Sequence, residues 1–176
     1  EKALEGADYL HWTGISPGIS ESAYIALKKG LQTANEKGIE ITADPAYRSN
    51  LWKYGKEGFE VLKELVSYST IFIGGVNEIN EIIGTKFSSD KESFIEACKE
   101  FQRQMPSIKK IFDKVRVGAS ASTQETQGRA WSNETYFESE PIEILQVVDR
   151  IGTGDAFAAG LIYGLLNFDD ETALKF

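Results

Sequence analysis

The sequence predicts an α/β fold in which a mostly parallel sheet is covered by helices on both faces. Short apolar runs typical of buried strands alternate with amphipathic stretches of ten or more residues, which indicates repeated β-α-β units. Glycine, proline and serine–aspartate turn signals separate these runs. The length of 176 residues and the hydrophobic content of 41% suit one soluble domain with a sizeable core.

The elements follow in chain order from periodicity and turn signals. The apolar run 8–15 ends at Ser16-Pro17-Gly18, and the stretch 20–37 carries apolar residues at helical spacing before Gly38. Both chain ends have the composition of partial helices, so we expect an excerpt from a longer protein. The predicted strands are 8–15, 39–44, 69–75 and 114–120, then 129–131, 135–139 and 142–148 as an antiparallel edge; the predicted helices are 20–37, 56–68, 77–84, 90–105 and 155–166.

The charge and the rare residue types exclude several classes of function. A net charge of −8 argues against nucleic-acid partners, which need basic patches. A single cysteine and a single histidine leave no internal disulfide, no zinc cluster and no attractive Ser–His–Asp triad. No apolar run approaches the ~18 residues of a membrane span, and no signal-peptide pattern is present. We therefore expect a cytoplasmic protein without a membrane partner.

The stretch VVDRIGTGDAFAAG, residues 147–160, predicts an anion-binding turn at the start of a helix. Gly152 and Gly154 can adopt positive φ or let a ligand approach the backbone closely. The first N–H groups of the helix lack internal partners and carry the positive end of its dipole. Phe157 at the third glycine position rules out the dinucleotide fingerprint, and no Gly-Lys-Ser/Thr follows for a Walker loop.

Asp155 has two interpretations on chemistry alone, a catalytic carboxylate or a helix cap worth about 0.5–2 kcal/mol. The following helix favours the first interpretation, because small residues alternate with large apolar ones around it. Such a pattern predicts a helix buried on most sides. Its first turn would then be held rigidly, as a catalytic group requires.

Residues 149–166, DRIGTGDAFAAGLIYGLL, closely resemble the signature of PfkB-family, ribokinase-like sugar kinases. The segments LHWTGISPGIS (10–20) and ADPAYRSNLW (43–52) resemble the branch of that family that contains 2-keto-3-deoxygluconate kinases. The matches are spread over residues 8–166. The resemblance implies a three-layer ribokinase-like core, with residues 1–176 as the nucleotide-binding part. It also implies that the N-terminal lid and sugar-binding part and the C-terminal end are missing.

The resemblance assigns the catalytic roles to the glycine turn. Asp155 would be the general base that contacts the sugar hydroxyl. The amides of Gly152, Thr153 and Gly154 would form the anion hole for the transferred phosphoryl group, with the two glycines also contacting nucleotide. Arg48, after the strand that ends at Asp44, would bind substrate or phosphate; the alternative is an ordinary surface ion pair.

The family's Asn-x-x-Glu motif, tied to magnesium and phosphate, falls imperfectly on GGVNEINE, residues 74–81. One alignment keeps Glu78 as the metal residue and loses the asparagine, whereas the other starts at Asn77 and ends on Asn80; we favour Glu78. Gly118 and Ser120 would contact nucleotide.

The expected function is ATP-dependent phosphorylation of a sugar or sugar-acid hydroxyl, with 2-keto-3-deoxygluconate as the preferred substrate, at its primary hydroxyl. ATP and Mg²⁺ are the implied cofactors, and a homo-oligomer could form through the missing lid. Fructokinase- or ribokinase-type activity is one alternative. A non-catalytic sugar- or nucleotide-binding module of the same fold is the other; the intact Asp155 argues against it, and the altered Asn-x-x-Glu segment argues for it.

Overall fold

The computed structural model describes residues 2–119, 123–145, 149 and 151–176. The chain divides into two compact units, with the boundary between Ile111 and Phe112. The expectation that residues 1–176 act as one nucleotide-binding core stays a prediction.

The first unit alternates strands and helices as predicted. β1 pairs with β2 and β2 with β3, both in parallel, with Leu10 opposite Ile41 and Thr42 opposite Ile71. The predicted turn at 16–18 is instead part of a short helix, because Ile15–Ile19 closes a helical turn directly after the strand. The elements are a 3₁₀ helix Lys2–Leu4, β1 Tyr9–Thr13, α1 Ile15–Ile19, α2 Glu21–Glu36, β2 Glu40–Asp44, α3 Gly58–Val66, β3 Ile71–Ile73, α4 Val76–Ile83 and α5 Lys91–Gln104.

Side-chain caps and a left-handed glycine set the helix ends in this unit. The hydroxyl of Ser20 accepts the N–H of Ala23 at the start of α2, and the carboxylate of Asp90 accepts the N–H of Ser93 at the start of α5. Gly84 ends α4 with φ +71°, a conformation that favours glycine. The core between helices and strands is aromatic and aliphatic; its largest fully buried members are Leu31, Ile41, Leu62, Leu65, Ile71, Phe72, Ile79, Phe94, Phe101, Ile108 and Ile111.

Gly14 joins the carboxyl ends of β1 and β2. Its N–H donates to the carbonyl of Asp44 over 2.8 Å. A Cβ at this position would lie 1.7 Å from the carbonyl oxygen of Pro45, so the two chain segments meet backbone to backbone. Gly14 is therefore required for space, since its φ of −64° is ordinary. The contact fixes the point at which the loop after β2 leaves the sheet.

A small polar network links α2 to α3. The hydroxyl of Tyr24 and the ammonium of Lys28 both donate to the carboxylate of Glu64. Burial acts to raise the pKa of Glu64, but the two hydrogen bonds together outweigh burial and leave that pKa lowered. The pKa of Tyr24 is raised, first because its hydroxyl donates to this carboxylate.

The second unit carries the antiparallel edge that the sequence predicted. β5 pairs antiparallel with β6 and with β7, with Trp131 opposite Tyr136 and Gln124 opposite Ile144. The predicted strand 114–120 begins earlier than expected, because β4 runs from Lys110 through Gly118 to Ala119. One glycine weakens a strand by only about 0.5–1 kcal/mol and does not end its ladder. The elements are β4 Lys110–Ala119, which begins before the unit boundary, β5 Thr123–Ser132, β6 Thr135–Glu138, β7 Ile142–Leu145, α6 Thr153–Asn167 and α7 Asp170–Lys175.

A buried ion pair holds β4 to β5 in this unit. Both Nε and Nη2 of Arg129 lie 2.8 Å from Oδ2 of Asp113, and the two side chains are only 7% and 11% exposed. Removing one partner would leave an uncompensated buried charge. The pair therefore sets which residues of β4 face each side of the sheet.

Helices α6 and α7 pack closely through Gly164. A Cβ there would lie 2.8 Å from the Cα of Ala173.

Among the described residues, no helix combines the length and the apolar content needed to span a bilayer.

Candidate active site

The turn before α6 is built around a left-handed glycine. Gly152 is the N-cap of the helix with φ +78° and ψ 1°, a region that residues with a Cβ enter only at a cost. No heavy atom of the described residues lies within 4 Å of the place where a Cβ of Gly152 or Gly154 would stand. The backbone of this turn is therefore open to an approaching ligand.

The first amides of α6 are available. The helical ladder begins with the N–H of Ala156, which donates to the carbonyl of Gly152 over 2.8 Å. The N–H groups of Thr153, Gly154 and Asp155 donate to no acceptor among the described residues, and no side chain caps the helix. Three N–H donors at the positive end of a helix dipole form an anion-binding geometry.

Asp155 is the third residue of α6 and is exposed. Its carboxylate makes no hydrogen bond or ion pair with another described residue, and the N-cap position belongs to Gly152. The cap interpretation therefore finds no contact to support it. A carboxylate beside bare amides, with no partner in the described part of the chain, is free to accept a proton from a bound hydroxyl.

The prediction that α6 is buried on most sides is wrong. Only Ala158, Leu161 and Gly164 are buried, whereas Tyr163 is 54% and Leu166 is 52% exposed. Small and apolar residues allow a helix to be covered, but covering it needs packing partners. Among the described residues these partners meet one face of α6 only.

Lys114 is a site residue that sequence reasoning missed. Its Nζ donates to the carbonyl oxygen of Thr153 over 2.7 Å, from a position 39 residues earlier on β4. The available signal was a lysine within a run predicted as a buried strand. A cavity of about 190 Å³ adjoins this contact; its lining includes Lys114, Phe157 and Gly160 but not Asp155.

Arg48 lies in the loop between β2 and α3, exposed to solvent. Its Nη1 donates to the carbonyl of Tyr47 over 3.1 Å, and it forms no ion pair with a described residue. The surface ion pair is therefore not the arrangement found. The Tyr47 ring stacks on Phe59 at 4.1 Å and on Trp52 at 6.1 Å, which anchors the loop next to Arg48.

Gly58 makes this aromatic cluster compact, because a Cβ there would lie 2.7 Å from the Trp52 ring. The indole N–H of Trp52 is buried and has no acceptor among the described residues.

Glu78 closes the first turn of α4. Its Oε2 accepts the N–H of Gly75 over 2.9 Å, while its second oxygen has no hydrogen-bond partner among the described residues. The pKa of Glu81, one turn later, is raised by burial and then by the charge of Glu78. Glu78 therefore keeps one carboxylate oxygen for a ligand.

The side-chain oxygen of the alternative metal residue, Asn80, already accepts two hydrogen bonds. Its Oδ1 accepts from the hydroxyl of Thr85 and the N–H of Phe87, and its Nδ2 donates to the carbonyl of Phe87, each over 2.9 Å. These contacts shape the loop after α4. Among the described residues, Glu78 keeps a side-chain oxygen without a hydrogen-bond partner and Asn80 does not. This difference favours the alignment that ends on Glu78.

The residues fit a magnesium ion only together with a nucleotide. In the described ranges, no three or more His, Cys, Asp or Glu side chains cluster in a metal-binding arrangement. Mg²⁺ is commonly bound by one or two carboxylates with substrate phosphates and water. A single carboxylate such as that of Glu78 suits this mode.

The predicted site residues fall into two groups. Gly118, on β4, and the Gly152–Asp155 turn belong to the second unit, and Arg48 and Glu78 belong to the first. Ser120 lies outside the described residues.

A family model, described as pfkB family carbohydrate kinase, matches residues 1–176. The chain belongs to this family. The resemblance inferred from the glycine turn and the two upstream segments is thereby confirmed.

Three relatives of this PfkB-family chain are informative. The 2-dehydro-3-deoxygluconokinase of Bacillus subtilis is 24% identical over 161 residues, which cover 92% of this chain and 45% of that protein. The 2-dehydro-3-deoxygalactonokinase of Haloferax volcanii is 26% identical over 175 residues, which cover 98% of this chain and 50% of that protein. The crystal structure of 2-dehydro-3-deoxygluconokinase from Thermotoga maritima is similar at a TM-score of 0.88 and 30% identity, over 99% of this chain and 53% of that one.

These similarities confirm the predicted ribokinase-like α/β fold class for the PfkB-family chain. The chain spans about half the length of the curated relatives it matches.

Proposed function

We propose that this chain forms the phosphoryl-transfer part of a kinase that phosphorylates a 2-keto-3-deoxy sugar acid, with 2-keto-3-deoxygluconate as the preferred substrate. The main support is the turn before α6. There, three backbone N–H groups and the carboxylate of Asp155 lie in the same turn, and none of them has a hydrogen-bond partner among the described residues. This combination suits a reaction in which a hydroxyl loses a proton while a phosphoryl group gains negative charge.

In the proposed reaction, the sugar hydroxyl oxygen attacks the γ-phosphorus of ATP. A new O–P bond forms, the bond from the γ-phosphorus to the bridging oxygen breaks, and ADP leaves with that bonding pair. Asp155 accepts the hydroxyl proton, a contribution of about 10²–10⁴-fold. The amides of Thr153 and Gly154 donate to the phosphoryl oxygens, and one preorganised donor of this kind is worth about 2.7–4 kcal/mol.

Mg²⁺ bound with ATP, with Glu78 as its protein carboxylate, would neutralise part of the phosphate charge near this acidic chain. Gly118 and Gly152 are the proposed nucleotide contacts, because neither places a side chain against the ligand.

Arg48 supports a sugar acid over a neutral sugar. A guanidinium without an ion-pair partner, anchored by the Tyr47 ring stack, matches a carboxylate in a bidentate geometry. Two relatives are named for 2-dehydro-3-deoxy acids that differ in the sugar, gluconate in one and galactonate in the other. The acid type is thus favoured by both lines of support.

Two alternatives to a sugar-acid kinase are a kinase for neutral sugars and a non-catalytic binding module. A fructokinase- or ribokinase-type enzyme would use Arg48 on phosphate rather than on substrate. A non-catalytic module would not need a carboxylate at Asp155. The cytoplasmic location and a homo-oligomer stay predictions.

The test is Asp155→Asn in the full protein that contains this chain. Turnover with ATP should fall by at least about 10²-fold, while ATP affinity, measured by calorimetry, is retained. Asp8→Asn makes the same chemical change at an exposed position before β1 and should leave turnover unchanged. Equal turnover of Asp155→Asn and the wild type would overturn the catalytic assignment.

A substrate panel decides among the kinase alternatives. We expect 2-keto-3-deoxygluconate to give the highest kcat/KM, ahead of 2-keto-3-deoxygalactonate, fructose and ribose. A preference for a neutral sugar would reject the sugar-acid assignment but keep the kinase. Binding without turnover of any sugar would favour the non-catalytic module.

A further inference from the structure

We infer that Lys114 is a positioning residue that fixes the Gly152–Asp155 turn and with it the amides and the carboxylate of the site. Its kinetic consequence rests on the proposed function, whereas its structural consequence does not. The observation is the 2.7 Å hydrogen bond from Nζ of Lys114 to the carbonyl oxygen of Thr153.

The contact falls on the first residue of α6. Thr153 follows the left-handed Gly152 and precedes Gly154, so two flexible glycines flank the carbonyl that Lys114 holds. A carbonyl has two lone pairs, so it can accept the ammonium in addition to a helical N–H. A hydrogen bond from a charged donor is about twice as strong as a neutral one.

Few other contacts of the turn are found in the described part of the chain. Within the described ranges, a Cβ at Gly152 or Gly154 would meet no atom within 4 Å, and Asp155 has no partner. The carboxylate of Asp149 accepts the N–H of Ile151, but this bond is local and lies before the glycines. In the described ranges, the hydrogen bond from Lys114 is the side-chain contact that joins the turn to a different element, β4.

The strand presents Lys114 in a defined direction. Asp113 is buried in its pair with Arg129, and side chains alternate along a strand, so Lys114 faces the opposite side of the sheet. The hydroxyl of Thr126 on β5 donates to the carbonyl of Val115 over 3.3 Å, on the other flank of Lys114. Lys114 also lines the 190 Å³ cavity, together with Phe157.

The lysine has an electrostatic effect as well. Its ammonium places a positive charge against the carbonyl of Thr153, the first residue of α6. In a protein with a net charge of −8, this local charge favours a phosphate at the turn.

The first test needs no ligand. Hydrogen exchange of the full protein, read by mass spectrometry in peptides that span residues 151–160, reports opening of the first turn of α6. Lys114→Met keeps the stem and removes the donor, and exchange in these peptides should be about tenfold faster. Lys29→Met removes the same charge from the exposed face of α2 and should have no effect there.

Peptides from β2 show whether the variant is folded, and their exchange should be unchanged. Lys114→Arg keeps a cationic donor and should restore most of the protection. Unchanged exchange over residues 151–160 in Lys114→Met, with β2 also unchanged, would overturn the inference.

The second test is kinetic and uses the same variants. Lys114→Met should lower kcat by about tenfold with little change in the KM for the sugar acid, since the lysine acts on the base and the amides. In an Asp155→Asn background the same substitution should lower kcat less, because the base is gone and only the effect of Lys114 on the amides remains. An equal loss in both backgrounds would show that Lys114 does not act through Asp155.

The two failures are distinguishable. If Asp155→Asn alone left turnover unchanged, the proposed function would fail, but faster exchange in Lys114→Met would still establish the positioning role. If exchange were unchanged, the positioning role would fail whatever the activity of the protein.

Discussion

Replacing Gly14 by alanine should destabilise the chain, although the same change is often stabilising elsewhere. The added Cβ would stand 1.7 Å from the carbonyl oxygen of Pro45, half of the 3.4 Å at which ordinary contact begins. The backbone of β1 or of the following loop must move. The 2.8 Å hydrogen bond from Gly14 to Asp44 would break as it does so.

The magnitude follows from three contributions. Overpacking costs about 1–3 kcal/mol, and the lost hydrogen bond costs about 0.5–1.5 kcal/mol. Reduced freedom of the unfolded chain returns about 0.4–1 kcal/mol. We expect the free energy of unfolding to fall by about 2–3 kcal/mol.

Urea unfolding, followed by circular dichroism and tryptophan fluorescence, measures this loss. Gly30→Ala is the matched control: Gly30 lies within α2, and no heavy atom of a described residue comes within 4 Å of its added Cβ. It should raise stability by about 0.5–1 kcal/mol. If Gly14→Ala left the midpoint at its wild-type value while Gly30→Ala raised it, the close approach of Gly14 and Pro45 would be refuted.

Three further outcomes are expected. Arg129→Met should cost about 3–5 kcal/mol of stability by leaving Asp113 charged and buried, and an added Asp113→Leu should recover most of the loss in urea unfolding; no recovery would contradict the ion-pair explanation. Glu64→Gln should lower the free energy of unfolding by about 0.5–1 kcal/mol above pH 4.5. In thermal melts this loss should vanish as the pH falls through the lowered pKa of Glu64, because a carboxyl with a lowered folded-state pKa stabilises the fold only while ionised. A loss of stability that persists in acid would show that the ionised carboxylate is not its cause. Gly58→Ala should displace Trp52 and raise the KM for the sugar acid several-fold with little effect on kcat, and an unchanged KM would detach the aromatic cluster from substrate binding.

Local patterns account for what could be predicted from the sequence. Helical spacing placed α2 and α5 to within a residue or two, and period and turn signals placed β1 and β2. The glycine turn before α6 was recognised because open amides and left-handed backbone need glycine at fixed places, and Gly152 has the expected conformation.

Long-range contacts account for what was missed. The hydrogen bond from Lys114 to Thr153 joins residues 39 apart, and the engagement of Asn80 depends on a loop that folds back onto it. The exposure of α6 was mispredicted because composition states which faces tolerate burial, whereas burial itself depends on neighbours. The roles of Asp155, Arg48 and Glu78 stay predictions until the variants are measured.

The left-handed backbone conformation of Gly152 allows a D-amino acid to replace this glycine. With φ at +78°, this residue has the backbone conformation that a D-amino acid prefers, and no described residue occupies the space where its Cβ would stand. A semisynthetic protein with D-alanine at this position should keep the turn, whereas L-alanine should strain it by about 1–2 kcal/mol. The D-alanine and L-alanine variants carry the same added methyl group and differ only in its direction. Comparing their stability and their phosphate binding therefore separates the effect of backbone conformation from the effect of space for the ligand.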